Sequence, residues 1–306
     1  MAIAVKPVAA IRPIDRMADY LPKIVLAPTF AITVFFVYGF ILWTTYVSFT
    51  KSKFMPVHML DGIRPYQRLW ANGNWWTSLE NLLIFSVLYI GIATLIGLLL
   101  AILLDQKIRG EGVLRTIYLY PMALSFIVTG TAWKWLLNPG IGIEKIVRDL
   151  GFTSFSLDWI VQPRTAIYCI VIAAIWQSSG FVMAMFLAGL RAVDSEMIKA
   201  AQIDGASAFK IYWRIIIPLM RPIFLTSFVI LSHLAIKSYD LIVALTDGGP
   251  GTATWLPAMF MYKMTFTRNE MALGAASAVM MLMTVAAIMV PYLYSELRQS
   301  GRGGHG

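Results

Sequence analysis

The 306-residue sequence has little charge, one cysteine and three histidines. Charged residues make up 13% of it, against about 25% in soluble domains, which leaves too little polar surface to coat a globule in water. The single cysteine, Cys169, excludes an intrachain disulfide, and the isolated histidines offer no metal site. The pattern Gly-x-x-x-x-Gly-Lys-Ser/Thr does not occur, so the chain lacks the phosphate-binding loop needed to hydrolyse ATP by itself.

Long apolar runs are present instead. Hydrophobic residues make up 58% of the chain, and its mean hydropathy is +0.71. Six runs are long enough to cross the hydrocarbon core as helices, at about 1.5 Å per residue. They lie roughly at Ile24–Phe49, Leu82–Leu104, Thr116–Leu137, Thr165–Leu190, Leu219–Leu245 and Met271–Tyr294. Because a helix satisfies its own backbone in lipid, we predict an all-α integral membrane protein, a six-helix transmembrane bundle.

The basic residues indicate how the bundle is oriented. The net charge is +9, but Lys and Arg are scattered among short loops, so we expect no nucleic-acid partner. With the N-terminus inside, the inner segments hold more Lys and Arg than the outer loops. We therefore predict a cytoplasmic N-terminal segment (1–23), a six-span domain (24–294) whose first span is not cleaved, and a flexible, glycine-rich cytoplasmic tail (295–306).

The segment 191–218 between the fourth and fifth spans, here named the inner loop, is longer than a simple helix hairpin needs. Asp194 or Ser195 can cap a first helix, and Gly205 offers a left-handed stop. A second helix then places one apolar face opposite Lys210 and Arg214. Its apolar residues are Ala208, Ile211, Tyr212, Ile215 and Ile216. We expect Pro218 to begin the next span.

The inner loop resembles the EAA loop of permeases in binding-protein-dependent ABC importers. That pattern is Glu-Ala-Ala, three residues, Gly, nine residues, then Ile-x-Leu-Pro. The residues at the family's spacing are Ala200, Ala201, Gly205, Ile215 and Pro218. Lys199 stands where the family has Glu, and Glu196, one turn earlier, can partly replace that charge. The segments 135–140, 245–251 and 274–278 also resemble the sugar-transporting branch, which includes the maltose and glycerol-3-phosphate permeases.

The resemblance implies a permease subunit in the bacterial inner membrane, which moves a sugar or related polyhydroxy solute into the cytoplasm. It implies a second permease, two ATPase subunits that hold ATP and Mg, and an external solute-binding protein. The chain itself is then neither an enzyme nor a cofactor protein. In this family the EAA loop docks in a cleft of the ATPase. The residues expected to couple the chain to the ATPase are Glu196, Lys199, Ala200, Ala201, Asp204, Gly205, Ile215 and Pro218.

Polar residues inside two spans are candidates for the solute path. His233, Lys237 and Asp240 are spaced i, i+4 and i+7, which predicts one helical face and an ion pair between the last two. The alternative is that Lys237 and Asp240 reach water at the outer surface. In the fourth span, hydrogen-bonding groups and a stacking face suited to a hydroxyl-rich solute come from Trp176, Gln177 and Ser178. The alternative there is hydrogen bonding between helices.

Two other classes of membrane protein compete with this interpretation. A secondary transporter driven by an ion gradient is expected to show internal repeats and spans broken near the midplane. An integral membrane enzyme is expected to show a polar cluster at one interface or a nucleophile with its base. The sequence shows no repeat, no sign of a broken span and no such cluster, and therefore favours the permease subunit.

Overall fold

The computed structural model describes residues 13–106 and 108–302, and its regular structure is helical apart from one antiparallel bridge between Thr50 and Leu60. This confirms the predicted all-α class. The α-helices are α1 Pro13–Ser48, α2 Arg64–Trp70, α3 Gly73–Asp105, α4 Glu111–Ala123, α5 Phe126–Leu136, α6 Ile143–Asp149, α7 Ala166–Ala192, α8 Ser195–Ile203, α9 Ala208–Ile211, α10 Ile217–Leu219, α11 Arg221–Ile236, α12 Asp240–Thr246, α13 Pro257–Tyr262 and α14 Met271–Arg302. Two five-residue π-helical turns, Tyr212–Ile216 and Lys263–Thr267, join α9 to α10 and follow α13.

Four of these helices are long and apolar enough to cross a membrane, namely parts of α1 and α14 and the whole of α3 and α7. Two bent pairs bring the number to six if each pair is one span. The pair α4–α5 bends by 100°, and the stretch Ala208–Leu219 bends by 64° from α11. The expectation that no span is broken was therefore wrong, and broken spans do not distinguish this chain from a secondary transporter.

The bend between α4 and α5 has a local cause and a distant one. Pro121 lies in the last turn of α4, and Leu124 is extended (φ −79°, ψ 146°). The hydroxyl oxygen of Ser125 then caps α5 by accepting from the amide of Val128 at 3.3 Å. From α7, Gln177 Nε2 donates to the carbonyl oxygen of Leu124 at 2.8 Å. The side chain of Gln177 thus satisfies a carbonyl that the broken helix leaves open.

The fifth span stops before its predicted end. Helix α11 ends at Ile236, and α12 begins at Asp240 after an interruption at Lys237, Ser238 and Tyr239. The charges suit the two helix ends, because a cation is favourable at the C-terminus of α11 and an anion at the N-terminus of α12. Lys237 and Asp240 can be recognised as charges at helix ends only once the interruption between α11 and α12 is known.

Helix α7 is the centre of the bundle, with 67% of its most apolar window buried. Small residues bring its backbone against its neighbours: a Cβ at Gly180 would lie 1.9 Å from the carbonyl oxygen of Tyr118 in α4. A Cβ at Gly97 in α3 would lie 2.6 Å from Val182 Cγ1. Helices α3 and α4 can therefore pack on α7 only because these positions carry no side chain.

Helix α1 lies at the edge of the bundle and packs mainly against α14. None of its most apolar window is buried within the subunit. The carbonyl oxygens of Ser52 and Lys53 accept from the first two amides of α14, Ala272 N at 2.9 Å and Met271 N at 3.2 Å. The first turn of α14 is thus completed by the loop that follows α1.

The two ends of the chain differ from prediction in one respect. Helix α14 continues through Arg302, although a flexible tail was predicted from residue 295. Glu296, Leu297, Arg298 and Gln299 have high helix propensity, which explains the extension. The predicted segment 1–23 is described only from Pro13, where α1 begins, and residues 303–306 lie outside the described part of the chain.

Candidate functional site

The first half of the inner loop is a capped helix with a sharp stop. The carboxylate of Asp194 accepts from the amide of Glu196 at 2.8 Å and caps α8. Gly205 has φ +77°, the left-handed conformation that favours glycine. The amide of Gly205 donates to Gln202 O and that of Ala206 to Ala201 O, both at 3.0 Å. These two bonds form a Schellman motif, which satisfies the carbonyls left open at the end of α8.

The second half runs back to the membrane as α9, a π-helical turn and α10. Ser207 caps it by accepting from Lys210 N at 3.4 Å. Ile211 and Ile216 are buried, and Tyr212 and Ile215 are half-buried, so four of the five residues predicted to share an apolar face pack inward; Ala208 is exposed. Pro218 lies within this stretch rather than at the start of the next span, where the structure has Pro222 at the second position of α11.

The predicted coupling residues separate into two groups. Glu196, Lys199, Ala200, Asp204, Gly205 and Pro218 are exposed, whereas Ala201 and Ile215 are half-buried. The sequence reasoning missed the large apolar side chains beside the turn: Ile203 is 87% exposed and Phe209 76%. Phe209 stacks on Trp213 with ring centroids 6.3 Å apart and planes within 6°. The sequence does contain a signal for these side chains, because large apolar residues on the solvent face of a short loop indicate a partner.

The predicted path residues of the fourth span do not come together on one surface. Trp176 lies in a groove of about 620 Å³ between α3, α4 and α7, edge-on to Trp133 at 6.0 Å. Gln177 and Ser178 point into the subunit instead. Ser178 Oγ is 2.7 Å from the hydroxyl of Tyr89 in α3, and Gln177 holds the α4–α5 bend. Gln177 and Ser178 thus form hydrogen bonds between helices, which is the alternative to a role in the solute path that the sequence left open.

Replacing Gln177 by leucine is expected to destabilise the protein, because the Leu124 carbonyl loses its donor in a buried place. The expected cost is about 1–3 kcal/mol. It is measured as the drop in the heating midpoint of the detergent-purified protein, followed by the yield of monodisperse material. Thr33→Val, which removes an exposed hydroxyl that bonds only to Thr29 O within α1, is the control. An unchanged midpoint in Gln177→Leu would contradict the bend-holding role.

The predicted path residues of the fifth span are all exposed within the single subunit. His233 and Lys237 lie one turn apart at the end of α11. Asp240 does not continue their face, because the helix is interrupted between Lys237 and Asp240, and no ion pair joins these two described residues. The prediction of one helical face with an internal pair was therefore wrong.

Beside this break, two tyrosines and three charged residues form a group that the sequence did not reveal, here named the aromatic–ionic cluster. The rings of Tyr239 and Tyr262 are 4.9 Å apart. Lys263 Nζ lies 3.2 Å from Asp247 Oδ1, and Asp240 follows Tyr239 in the chain. The cluster thus brings residues of the α11–α12 break into contact with residues at the end of α13.

The position of α13 depends on α3. Asn81 Nδ2 donates to the carbonyl oxygens of Ala253 and Trp255, both at 3.0 Å, and so holds the segment that leads into α13. The cluster therefore rests on a fixed support at the end of the bundle opposite the inner loop. Among the described residues no three His, Cys, Asp or Glu side chains come together as a metal site.

The fold has been seen in a solved ABC transporter. The described helices superpose on a chain of a bacterial ABC transporter involved in the import of the acidic polysaccharide alginate with a TM-score of 0.80 at 19% identity, covering 93% of this chain and 97% of that one. This likeness shows the fold.

Sequence comparison shows the family. The chain is 41% identical to a probable ABC transporter permease protein of Pyrococcus horikoshii, over 91% of this chain and 97% of that relative. It is 34% identical to the xylose/arabinose import permease protein of Haloferax volcanii, over 87% and 84%. The family described as "Binding-protein-dependent transport system inner membrane component" matches residues 93–299, which include the whole inner loop. The chain therefore belongs to this family: it is a multi-pass permease subunit of an ABC importer, in which the ATPase is a separate subunit.

Proposed function

We propose that this chain forms half of an import path for a sugar or related polyhydroxy solute, with both termini in the cytoplasm and the aromatic–ionic cluster on the outside. The observation that carries the proposal is the cluster itself. Two tyrosine rings beside carboxylates and an ammonium combine an apolar stacking face with groups that hydrogen-bond hydroxyls. The end of the bundle that holds it is the end a solute reaches first on its way in.

The names of relatives support the same solute class. Besides the xylose/arabinose permease, they include a trehalose/maltose transport system permease protein of Thermococcus litoralis at 28% identity and an sn-glycerol-3-phosphate transport system permease protein of Pectobacterium atrosepticum at 28%. The named solutes share several hydroxyl groups on a small carbon skeleton. A second alginate transporter structure is described in complex with a pentasaccharide-bound periplasmic protein.

The exposed charges of the fifth span fit a path between two permeases. An ionisable group facing lipid is costly, so exposed residues of a span favour a polar cavity or a partner subunit. His233 and Lys237 at the end of α11 are exposed on the isolated subunit, as is Asp240, the cluster residue that begins α12. A second permease facing α11 would enclose them. Trp176 lies in a separate groove and is left out of this path.

The inner loop is proposed to dock on the ATPase. At its turn, the exposed apolar side chains of Ile203 and Phe209 flank a segment of mostly small residues that contains Gly205. Such a tip fits a cleft on another subunit, which buries the two apolar side chains and approaches the glycine closely. The exposed Glu196 and Lys199 are then placed at the rim of the contact.

Transport by the complete importer tests the solute class. The chain is co-expressed with the second permease, the ATPase and the binding protein of its importer, and the complex is reconstituted in vesicles with ATP inside. We expect accumulation of a labelled sugar or polyol phosphate that the binding protein retains, and none without ATP. Accumulation of an amino acid or a metal ion alone would contradict the proposal. Uptake by this chain without the ATPase would contradict its role as a subunit.

Substitutions in the aromatic–ionic cluster test the path. Tyr262→Ala and Asp240→Asn each remove one contact that a sugar can use, so uptake at low solute concentration is expected to fall about tenfold. Both side chains are exposed on the isolated subunit, so its own fold should be unaffected, and the yield of intact importer is measured beside the uptake. Tyr120→Ala in α4, another exposed tyrosine, is the matched control. Wild-type uptake in both cluster variants would remove the cluster from the path.

A further inference from the structure

Three helix ends meet at Arg191, in the last turn of α7. Arg191 Nη2 lies 2.6 Å from Glu111 Oε1, in the first turn of α4, and Nε lies 3.8 Å from Asp105 Oδ1, the last residue of α3. The exposed fractions of the Arg191, Glu111 and Asp105 side chains are 44%, 29% and 32%. These three residues, here named the inner triad, are thus partly shielded from water. Arg191 stands just before Asp194, which caps the first helix of the inner loop.

The charges of the inner triad match the ends of their helices in two cases out of three. A cation at the C-terminus of α7 and an anion at the N-terminus of α4 are both favourable with the helix dipole. Asp105 is unfavourable at the C-terminus of α3, and the guanidinium of Arg191 offsets it. Asp105 and Glu111 carry the same charge, and Arg191 therefore binds together the end of α3 and the start of α4 by pairing with both.

A second contact ties the far half of the inner loop to the same place. Gln106 Nε2, next to Asp105, donates to the hydroxyl of Tyr212 at 3.3 Å. Tyr212 begins the π-helical turn of the returning half. The two halves of the inner loop are thus joined to the inner end of α3, one through Arg191 before the turn and one through Tyr212 after it.

Helix α4 connects the inner triad to the bent span. Its first turn carries Glu111, its middle lies against Gly180 of α7, and its end leads into the bend that Gln177 holds. A displacement of the inner loop that moves Arg191 therefore pulls on the free end of a helix whose far end is fixed. Exposed ion pairs contribute little to the free energy of unfolding. The Arg191–Glu111 pair is therefore important for the helices that it connects and not for its contribution to stability.

We propose that Arg191 is a positioning residue of the transport cycle: through Glu111 and Asp105 it makes α3 and α4 follow the inner loop when the ATPase moves it. The proposal rests on the docking role proposed above for the inner loop. It adds the route by which that movement enters the membrane-spanning helices. A salt bridge that only held the resting structure would change stability but not the amount of solute moved per ATP.

The test measures labelled solute imported per phosphate released, in vesicles with the complete importer, together with the heating midpoint of the complex. In Arg191→Glu we expect this ratio to fall about tenfold while ATP hydrolysis continues. Glu111→Arg should lower it in the same way. The double variant restores the pair with reversed charge, and we expect its ratio to exceed either single variant by about threefold or more. Recovery is partial, since the reversed charges oppose both helix dipoles.

The controls separate this proposal from the docking role. Arg64→Glu reverses an arginine that is 71% exposed and paired with Asp61 at 3.5 Å at the start of α2, and should leave the ratio unchanged. Arg191→Gln replaces Arg191→Glu if the latter does not assemble. A normal ratio in Arg191→Glu or Arg191→Gln, or a double variant no better than the singles, overturns the proposal. A normal ratio in Gly205→Val would instead overturn the docking role.

Discussion

Valine in place of Gly205 is expected to lower solute uptake about five- to thirtyfold while the importer still assembles. At φ +77° an L-residue is strained by about 1–2 kcal/mol, most of all when it is β-branched. That strain lowers the population of the correct turn by about five- to thirtyfold. A Cβ at Gly205 meets nothing within 4 Å inside the subunit, so the bundle itself is not disturbed. Uptake by reconstituted vesicles and the yield of intact complex measure the two effects separately.

Asparagine provides the matched control for this position. Asn adopts the left-handed conformation more readily than other residues with a side chain, so Gly205→Asn should retain the turn and a substantial part of the uptake. If asparagine and valine are equally damaging, the glycine is needed for close approach of the ATPase rather than for its φ angle. Normal uptake in Gly205→Val would contradict both explanations and remove the inner loop from the transport mechanism.

Substitution of Gly180 is expected to prevent the subunit from folding correctly. In Gly180→Val the new Cβ falls 1.9 Å from the carbonyl oxygen of Tyr118 and 2.7 Å from its carbon. Backbone atoms of α4 cannot move aside as a side-chain end does, so α4 must separate from α7. We expect a loss of about 3 kcal/mol or more, seen as a large drop in the heating midpoint and in the yield of monodisperse protein.

Gly91→Ala is the control for Gly180, since it adds a methyl group to α3 where nothing lies within 4 Å. Alanine is favoured over glycine in a helix by about 0.5–1 kcal/mol, so the midpoint should stay the same or rise slightly. A wild-type midpoint in Gly180→Val would mean that α4 does not pack on α7 as described.

The inner loop was predictable because its signals are local. Asp194 as cap, Gly205 as stop and the alternation of apolar and basic residues after it all act within a few residues of the structure that they specify. The all-α class was predictable for a similar reason, because long apolar runs have few solutions in lipid.

The bends were not predictable, because their causes lie far apart in the sequence. Pro121 and Ser125 alone are compatible with a straight span, and the bend at Leu124 is completed by Gln177 from another helix. The same distance hid the role of Gln177 itself: a polar side chain in a span looks like a solute contact until its carbonyl partner is known. The single helical face and the ion pair predicted for the fifth span were wrong because they assumed a helix that continues to Asp240.

The aromatic–ionic cluster escaped detection because its members come from separate segments. Tyr239 and Tyr262 belong to elements that are brought together only when Asn81 of α3 holds the segment before α13. No spacing rule relates them, whereas the EAA pattern is contained in a single loop. Sites built on one segment are visible in a sequence, and sites built by packing are not.

The pairing of α1 with α14 has a consequence for biosynthesis. The ribosome delivers α1 well before its main partner α14, so α1 must wait in the bilayer until α14 has been made. Its exposed apolar surface makes that wait tolerable, because a lone apolar helix is stable in lipid. The carbonyls of Ser52 and Lys53 find the amides of α14 only then. Truncation before residue 271 should therefore leave α1 inserted but detached from the bundle.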